Sequence, residues 1–415
     1  MVCNGLTHSV WSRIDGGITA PRGFKASGIT AGLKSSLTPD LALVQAPQGA
    51  VCAGTFTQSI VRAACVDLCI ERLKISGNSP SVVLINSGHA NACTGARGLR
   101  DSLQATEEVA NRLGIKATEV LICSTGVIGS PIPMDNLLKA LDSLVEALTK
   151  EGGHNAAQAI LTTDLVEKEI ALAGDCDGRK ICIGGMAKGS GMIHPNMATM
   201  LGFISCDAGI PRVAWEEMVN RIVNDSFNSI TVDGDTSTND AFLAFSGGEA
   251  LPEKYWPFLE QGLRMASQSL AKAIARDGEG AKCLLEVQVL GAKNNNEAKH
   301  IARIIAGSAL VKTAIHGCDP NWGRIIAAAG RAGVSFELNN ISLWIGSFQL
   351  MKSGQPIDFQ RNLVSEYIRD KTKGAYLIDD CVKIKLYLGL GSGSSFAWGC
   401  DLSDDYIRIN ADYTT

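Results

Sequence analysis

The stretch "GMIHPNMATMLGF", residues 191 to 203, lies in the middle of the chain and joins a loop to a buried segment. It begins with glycine, Pro195 interrupts the backbone, and a small residue, Ala198, precedes a hydroxyl residue, Thr199. The apolar run 200–204 follows at once and predicts a buried strand. A threonine therefore stands where a flexible loop meets a strand, and its chemistry needs an explanation.

The hydroxyl of Thr199 would be an effective nucleophile only with a base beside it. One such base is the residue's own α-amino group, whose reference pKa is about 7.7–8.0. That amine exists only after the bond between Ala198 and Thr199 is cut. In the intact chain the hydroxyl can attack the carbonyl carbon of Ala198, and an acyl shift followed by hydrolysis would release Thr199 as a new N-terminus. The alternative is an ordinary threonine at a strand start, which the short stretch alone favours.

Composition predicts a folded protein of two or three domains. The chain has 415 residues, and 46% of them are hydrophobic, which is enough for large cores. The formal net charge is only −4, and the absence of basic blocks argues against nucleic acid as a partner. The N-terminus has no apolar signal segment, and no apolar run reaches the roughly 18 residues of a membrane span. We therefore expect a cytoplasmic protein that binds no membrane.

The metal-binding residue types do not form a convincing metal site. The 13 cysteines are scattered singly, which fits free thiols in a reducing compartment. His89 lies near Cys93, and His316 near Cys318, but neither has the second pair that a structural zinc site needs. The segment "DGDTSTND", 233–240, resembles half of a calcium loop but lacks its glycine and its bidentate glutamate. We expect no metal.

Strand and helix patterns alternate along the chain, which predicts a mixed α/β fold with helices covering sheets. The predicted strands of the first part are 81–86, 119–126, 169–174, 180–185 and 200–207. The predicted helices of the first part are 103–114, 134–148, 214–227 and 254–278. The strands 169–174 and 180–185 are close enough in sequence to form a hairpin.

The pattern starts again after Gly280. A strand is predicted at 283–292 and a helix at 296–307. Further strands are predicted at 335–346, 382–389 and, in the tail, 406–415. We therefore expect a larger domain, 1–281, and a smaller α/β domain, 282–415.

Separate motifs along the chain together resemble one enzyme family. The segment 185–201, which contains Thr199, is accompanied by "CSTGVIG" (123–129), "TTD" (162–164), "SITVDGDTSTND" (229–240), "DGEGA" (277–281), "DPNWGR" (319–324) and "RINADYTT" (408–415). In order and spacing, this set resembles the ornithine acetyltransferases, also called glutamate N-acetyltransferases, of arginine biosynthesis. The resemblance extends from the first hundred residues to the C-terminus.

The resemblance implies a precursor that cleaves itself. The cut between Ala198 and Thr199 would give an α chain, 1–198, and a β chain that begins at Thr199. The implied fold is an αββα-layered sandwich with an N-terminal nucleophile-like site, plus a smaller C-terminal α/β domain whose tail returns to the active site. Family members assemble as α2β2 heterotetramers in the cytoplasm, and we expect the same of this chain.

The resemblance also assigns catalytic roles. Thr199 would carry the acetyl group, and Thr125 and Gly126 would form the oxyanion hole. A hydroxyl group and a glycine N–H at a strand end can supply the two donors that such a site needs. Without the resemblance, the segment 124–126 would be interpreted as an ordinary turn.

Substrate-binding roles follow in the same way for Thr162, Lys188, Thr199, Glu279, Asn410 and Thr415. Lys188 would bind the substrate's α-carboxylate, and Glu279 is a suitable partner for ammonium groups. Without the resemblance, Lys188 is more simply a solvated surface lysine, Thr162 a cap or turn residue, and Glu279 part of a turn that ends a helix.

The implied reaction moves the acetyl group from N2-acetyl-L-ornithine to L-glutamate through an acetyl-Thr199 intermediate in a ping-pong cycle. No bound cofactor is expected. Use of acetyl-CoA as a co-substrate, feedback by arginine or ornithine, the extent of cleavage and the role of 319–324 are left open. One alternative is an amidase or aminopeptidase of related fold with the same self-generated threonine. Another is a binding protein without processing.

Overall fold

The computed structural model describes residues 10–194 and 200–412. Within them, eleven α-helices and sixteen strands alternate. The strands are β1 Ser12–Arg13, β2 Lys25–Ile29, β3 Leu41–Gln45, β4 Val51–Phe56, β5 Val82–His89, β6 Val120–Val127, β7 Lys168–Cys176, β8 Arg179–Lys188, β9 Leu201–Gly209, β10 Ala241–Ala250, β11 Leu284–Ala292, β12 Ser342–Ile345, β13 Phe348–Lys352, β14 Gln355–Pro356, β15 Cys381–Tyr387 and β16 Gly393–Cys400. The helices are α1 Ala64–Lys74, α2 Gly95–Leu113, α3 Met134–Glu146, α4 Gly153–Ala159, α5 Arg212–Asn224, α6 Trp256–Arg276, α7 Asn295–Ala306, α8 Ala309–His316, α9 Trp322–Gly330, α10 Arg361–Thr372 and α11 Asp404–Asp412.

Two sheets form the first part of the molecule. The first has the strand order β1-β7-β8-β9-β10-β4, and the second has the order β2-β3-β5-β6. β7 and β8 pair antiparallel as the predicted hairpin. β10 runs parallel to β9 in the first sheet, and β6 runs parallel to β5 in the second. The two parallel pairs each join strands that are separated in sequence by a helix.

The two sheets pack face to face between layers of helices. Val44 and Ile85 of the second sheet share one apolar cluster with Phe203 and Phe245 of the first. The outer face of the first sheet packs against α5 and α6 around Trp215, and the outer face of the second packs against α1, α2 and α3. The predicted αββα sandwich is therefore confirmed.

The strand that follows the opening stretch shows why the local sequence is so apolar. Eight of the nine residues of β9 are buried. Leu201 and Phe203 face the cluster between the sheets, whereas Ile204 and Cys206 face the helices. Because successive side chains point to opposite faces of a strand, a strand buried on both faces appears as a continuous apolar run rather than as an alternating one.

The third sheet contains β14-β13-β12-β15-β11-β16 and has an apolar cluster of its own. The cluster includes Val287 of β11 and Ile305 of α7. On the edge strand β16, Trp398 instead packs with the cluster of the first sheet and α6. The pattern that restarts after Gly280 thus corresponds to β11 and the elements that follow it. The domain division at 281 stays a prediction.

Two predicted strands in this part are corrected. Within the segment 335–346 only β12 forms a strand, and 338–340 forms a 3-10 turn. The tail prediction is wrong over its described part, since residues 404–412 form the helix α11. Asp404 and Asp405 occupy the first turn of α11, where negative charge is favoured. The helix also places Tyr406 and Asn410, four residues apart, on the same face.

The segment 319–324 begins a helix. Asn321 caps α9, because its side-chain oxygen accepts the backbone N–H of Arg324 at 3.2 Å. The Arg324 guanidinium donates to the carbonyl of Leu310 at 2.9 Å and to the hydroxyl of Thr313 at 3.2 Å. These contacts connect α8 to α9.

Three further properties concern the part of the chain that the structure describes. Every helix in it is too short or too polar to cross a lipid bilayer. Its twelve cysteines carry free thiols. No cluster of three or more His, Cys, Asp or Glu side chains in residues 10–194 and 200–412 could hold a metal ion.

Candidate active site

One cavity, with a volume of about 560 Å³, brings together the predicted site residues that the structure describes. They are Thr125, Gly126, Thr162, Lys188, Glu279 and Asn410. They come from β6, the loop after α4, the end of β8, the loop after α6, and α11. The remaining predicted residues, Ala198, Thr199 and Thr415, lie outside the described residues.

Lys188 is the cation of the cavity. It is the last residue of β8 and is only 5% exposed, so its interpretation as a solvated surface lysine is wrong. Its Nζ lies 3.0 Å from Oγ1 of Thr125. An ammonium group can only donate, so the Thr125 hydroxyl accepts this bond and keeps its own hydrogen for another acceptor. The pair joins the first sheet to the second at the cavity wall.

The charge of Lys188 depends on its buried neighbours. Burial lowers the pKa of Lys188, and the nearby charge of Lys168 lowers it further. The carboxylates of Asp164, Asp240 and Glu279 act in the opposite direction and raise it. The net result is a pKa below the ordinary lysine value. The affinity of this site for an anionic group therefore depends on the surrounding carboxylates.

Gly126 occupies a position that only glycine can fill. Its φ is +130°, in the region that side chains disfavour. A Cβ atom there would lie 2.2 Å from the carbonyl carbon of Gly88 and 2.6 Å from the nitrogen of His89, both on β5. The pairing of β5 with β6 is irregular at the same point. The sheet therefore departs from regular geometry at the predicted oxyanion hole.

Thr162 lies in a loop that is held by Asp164. The Asp164 carboxylate accepts the N–H of Thr162 at 3.2 Å and that of Gly189 at 2.6 Å. It also accepts a 2.6 Å bond from Nζ of Lys168. Burial acts to raise the pKa of Asp164, but Lys168 and Lys188 outweigh it and lower the pKa to about 2. Asp164 is therefore ionised at neutral pH.

The C-terminal helix forms one wall of the cavity. Nδ2 of Asn410 donates to Oε2 of Glu279 at 2.8 Å and to the carbonyl of Tyr406 at 3.0 Å. A Cβ on Gly191 would lie 2.7 Å from Oε1 of Glu279, so the carboxylate fits against a residue without a side chain. Helix α11 thereby orients the carboxylate that we predicted to contact ammonium groups.

The segment 229–240 holds the chain on both sides of residues 195–199. Asp233 accepts the N–H of Met192 at 2.6 Å and that of Ile193 at 3.0 Å. On the other side, the N–H of Met200 donates to Oδ1 of Asp240 at 2.9 Å. Burial raises the pKa of Asp233. Two acidic residues of the segment, Asp233 and Asp240, therefore bind backbone amides.

Asn239, in the same segment, connects residues 229–240 to β6, the strand that carries the predicted oxyanion-hole residues. Its Nδ2 donates to the carbonyl of Ala90 at 2.5 Å and to that of Ser124 at 2.8 Å. Ser124 directly precedes Thr125 on β6. Asn239 thus fixes the end of β6 from a loop that is distant in sequence.

Sequence reasoning missed five residues that shape this cavity: Asp164, Lys168, Asp233, Asn239 and Asp277. All but Lys168 lie inside motifs already quoted for the resemblance, at 162–164, 229–240 and 277–281. Their position in these motifs was a usable signal. Lys168 had none, because a lysine at the start of an apolar strand gives no sign that it is buried.

The fold and the cavity together define an αββα sandwich protein with a polar cavity at the ends of β6 and β8. Comparison with known proteins agrees. The ArgJ family matches residues 25–415. An arginine biosynthesis bifunctional protein ArgJ from Prochlorococcus marinus is 62% identical over 407 residues, which cover 98% of this chain and 95% of the relative.

Two solved structures are also similar in sequence. The arginine biosynthesis bifunctional protein argJ of Bacillus halodurans is 43% identical, covering 52% of this chain and 100% of that chain, with a TM-score of 0.48. The ornithine acetyltransferase of Mycobacterium tuberculosis, complexed with ornithine, is 40% identical, covering 45% of this chain and 99% of that chain, with a TM-score of 0.42.

This chain belongs to the ArgJ family. It is an acetyltransferase of arginine biosynthesis, as its motifs predicted.

Proposed function

We propose that this enzyme transfers the acetyl group of N2-acetyl-L-ornithine to L-glutamate, with Thr199 as the acetyl carrier. The products are L-ornithine and N-acetyl-L-glutamate. The proposal combines family membership with the charges of the cavity, since both substrates are amino acids that carry a carboxylate and a nitrogen group.

The observation that carries the proposal is that one cavity contains both Lys188 and Glu279. A buried ammonium group suits an α-carboxylate, and an oriented carboxylate suits the ammonium group of ornithine. The volume of about 560 Å³ lies in the range of small-molecule sites. Thr162 and Asn410 line the same cavity and can add neutral hydrogen bonds.

In the proposed first half-reaction, the Thr199 hydroxyl attacks the acetyl carbonyl of N-acetylornithine. The carbonyl oxygen becomes an oxyanion, which the Thr125 hydroxyl and the Gly126 N–H stabilise. The α-amine of Thr199 takes the hydroxyl proton and delivers it to the leaving nitrogen of ornithine. The C–N bond breaks, and an acetyl ester on Thr199 remains.

In the second half-reaction, the amine of glutamate attacks this ester. The same two donors stabilise the second oxyanion. The α-amine of Thr199 takes the proton that the attacking nitrogen loses and delivers it to the Thr199 oxygen as that oxygen leaves. Glutamate and N-acetylornithine never need to be bound at the same time, which defines ping-pong kinetics.

The α-amine of Thr199 exists only after cleavage, so self-processing belongs to the proposal. We propose that the precursor cuts itself between Ala198 and Thr199, and that the α chain, 1–198, and the β chain, from 199, remain together as an α2β2 heterotetramer. Asp233 and Asp240 accept hydrogen bonds from backbone N–H groups on either side of residues 195–199. These bonds support the proposal, because they hold the chain in place on both sides of the proposed cut.

A denaturing gel and intact mass spectrometry test the processing. The wild type should give two chains that separate before residue 199, and Thr199→Ala should give one uncut, inactive chain. Thr163→Ala is a suitable control, because it removes another hydroxyl of the cavity and keeps Thr199, so this variant should be cleaved like the wild type. An uncut wild type with full acetyltransferase activity would end the proposal.

A single assay separates this proposal from the amidase or aminopeptidase alternative. Purified enzyme is incubated with N-acetylornithine, with and without glutamate, and N-acetylglutamate and free acetate are measured. We expect formation of N-acetylglutamate to exceed release of acetate. Replacement of N-acetylornithine by acetyl-CoA in the same assay decides whether the enzyme accepts that second donor.

A further inference from the structure

A buried ionic cluster lies behind the cavity. Nζ of Lys168 is 2.6 Å from Oδ1 of Asp164 and 2.6 Å from Oδ2 of Asp277. The side chains of Lys168 and Asp164 are completely buried, and that of Asp277 is 2% exposed. Burial of charges is costly, and a buried ion pair by itself is a weak source of stability. Its presence calls for another explanation.

Each carboxylate of the cluster holds a different part of the cavity wall. Asp164 accepts the N–H groups of Thr162 and Gly189, and Gly189 directly follows Lys188. Asp277 accepts the N–H of Leu165 at 3.0 Å. The two carboxylates therefore fix the loop 162–165 at both ends and the backbone at the end of β8.

The same cluster reaches the segment that carries Glu279. Asp277 lies two residues before Glu279, and the Glu279 N–H donates to the carbonyl of Ser190 at 3.1 Å. The Ser190 hydroxyl is 2.5 Å from that of Thr163. Lys168 thus joins three segments, 162–165, 188–190 and 277–279, each of which supplies a predicted substrate contact.

We propose that Lys168, Asp164 and Asp277 are positioning residues that set the distance between the cation and the carboxylate of the substrate pocket. This inference rests on the proposed function, because it takes Lys188 and Glu279 as the substrate's charged partners. The cluster touches no substrate. It acts through Thr162, Lys188 and Glu279, and it links the two ends of the pocket to one buried ammonium group.

The test is the isosteric change Asp164→Asn. It removes one charge, weakens the bond to Lys168, and places a donor near the Thr162 N–H. We expect at least about a tenfold rise in the Kd for L-ornithine by calorimetry, equivalent to about 1.4 kcal/mol. The KM for N-acetylornithine should rise in parallel, and kcat should change less than about threefold, because the cluster orients binding groups and not the reacting atoms.

The pH profile gives a second readout. The ionisable groups around Lys188 are Asp164, Asp240, Glu279, Lys168 and Lys34. Loss of the Asp164 charge removes one influence that holds the Lys188 ammonium protonated. The alkaline limb of kcat/KM should therefore move to lower pH in Asp164→Asn.

Asp207→Asn is the matched control. Asp207 is also buried, with its side chain 6% exposed, and it accepts a backbone N–H from Cys182 at 2.7 Å and pairs with Arg22. Leu201 pairs with Lys188, and Asp207 lies six residues further along β9, roughly 20 Å away. This variant should lose stability and keep the wild-type Kd, KM and pH profile.

Asp277→Asn keeps the proposal testable if Asp164→Asn does not fold, since it leaves the bonds of Asp164 in place. It should raise the Kd for ornithine by about threefold or more. Unchanged ornithine binding and pH profile in the folded variants would overturn the proposal, whatever their melting temperatures. A wild type that neither binds ornithine nor transfers acetyl groups would instead overturn the proposed function.

Discussion

The Thr125 hydroxyl offers the sharpest test of the site. Its oxygen accepts a hydrogen bond from Nζ of Lys188 at 3.0 Å. The hydrogen of the hydroxyl is therefore available to a developing oxyanion. Thr125→Val keeps the shape of this 8% exposed side chain and removes the hydroxyl. Loss of one oxyanion donor typically costs about 2.7–4 kcal/mol, so kcat should fall by about 10²–10³-fold.

The same substitution has a second, separable effect. Lys188 loses one hydrogen-bond acceptor in a buried environment, which should lower the free energy of unfolding by about 1–3 kcal/mol. Stability is measured by urea denaturation, and kcat by the initial rate of N-acetylglutamate formation. Because the proposed self-cleavage would also pass through an oxyanion, the rate must be divided by the cleaved fraction from a denaturing gel.

Thr125→Ser is the matched control for this prediction. It keeps the hydroxyl that accepts from Lys188 and should retain kcat within about tenfold of the wild type, well above the Val variant. If cleaved Thr125→Val enzyme transfers acetyl groups within threefold of the wild-type kcat, Thr125 is not an oxyanion donor and the assignment is wrong.

Four further variants test the remaining parts of the site. Gly126→Ala places a Cβ 2.2 Å from the Gly88 backbone and should lower the free energy of unfolding by at least about 2 kcal/mol in urea denaturation; equal stability would contradict the observed backbone path. Glu279→Gln should raise the KM for N-acetylornithine by about 10–100-fold in initial-rate assays, because it weakens a charge-assisted contact. Asn410→Asp replaces the amide that donates to Glu279 and should also raise this KM. The pKa of Asp164 is lowered to about 2. The stability that its ionised form contributes is therefore present above the ordinary carboxyl pKa and is lost as the pH falls from about 4 to about 2. Over this range the free energy of unfolding should depend less steeply on pH in Asp164→Asn than in the wild type, and parallel curves would refute this.

Local pattern predicted most of the αββα elements. The runs that became β5, β6 and β9 are short, apolar and bounded by polar or glycine-rich segments, so their strand state follows from local sequence. Helix α3 was equally clear, from apolar residues three and four apart. These elements were predictable because a short continuous apolar run is typical of a strand buried on both faces, and apolar residues three and four apart are typical of one buried helix face.

Helix α11 was not predictable in this way. Its sequence alternates apolar and polar residues around Ile407 and Ile409, which indicates a strand when it is considered alone. In the structure the helix is tied down by a 2.9 Å ion pair between Lys282 and Asp405 and by the bond from Asn410 to Glu279. Both partners are more than a hundred residues away in sequence, so only the folded chain selects the helix.

The amino-acid sequence by itself determined the family, many of the strands and helices, and the motif residues that line the cavity, because each of these follows from short stretches of the linear sequence. It did not determine that Lys188 is buried or that Lys168 bridges Asp164 and Asp277. The linear sequence shows the same lysine in either environment. Whether its side chain meets water or two carboxylates depends on residues that are distant in sequence, such as Lys168 and Asp277, which lie 109 residues apart. Tertiary packing made that choice, and with it the charge and the geometry of the pocket.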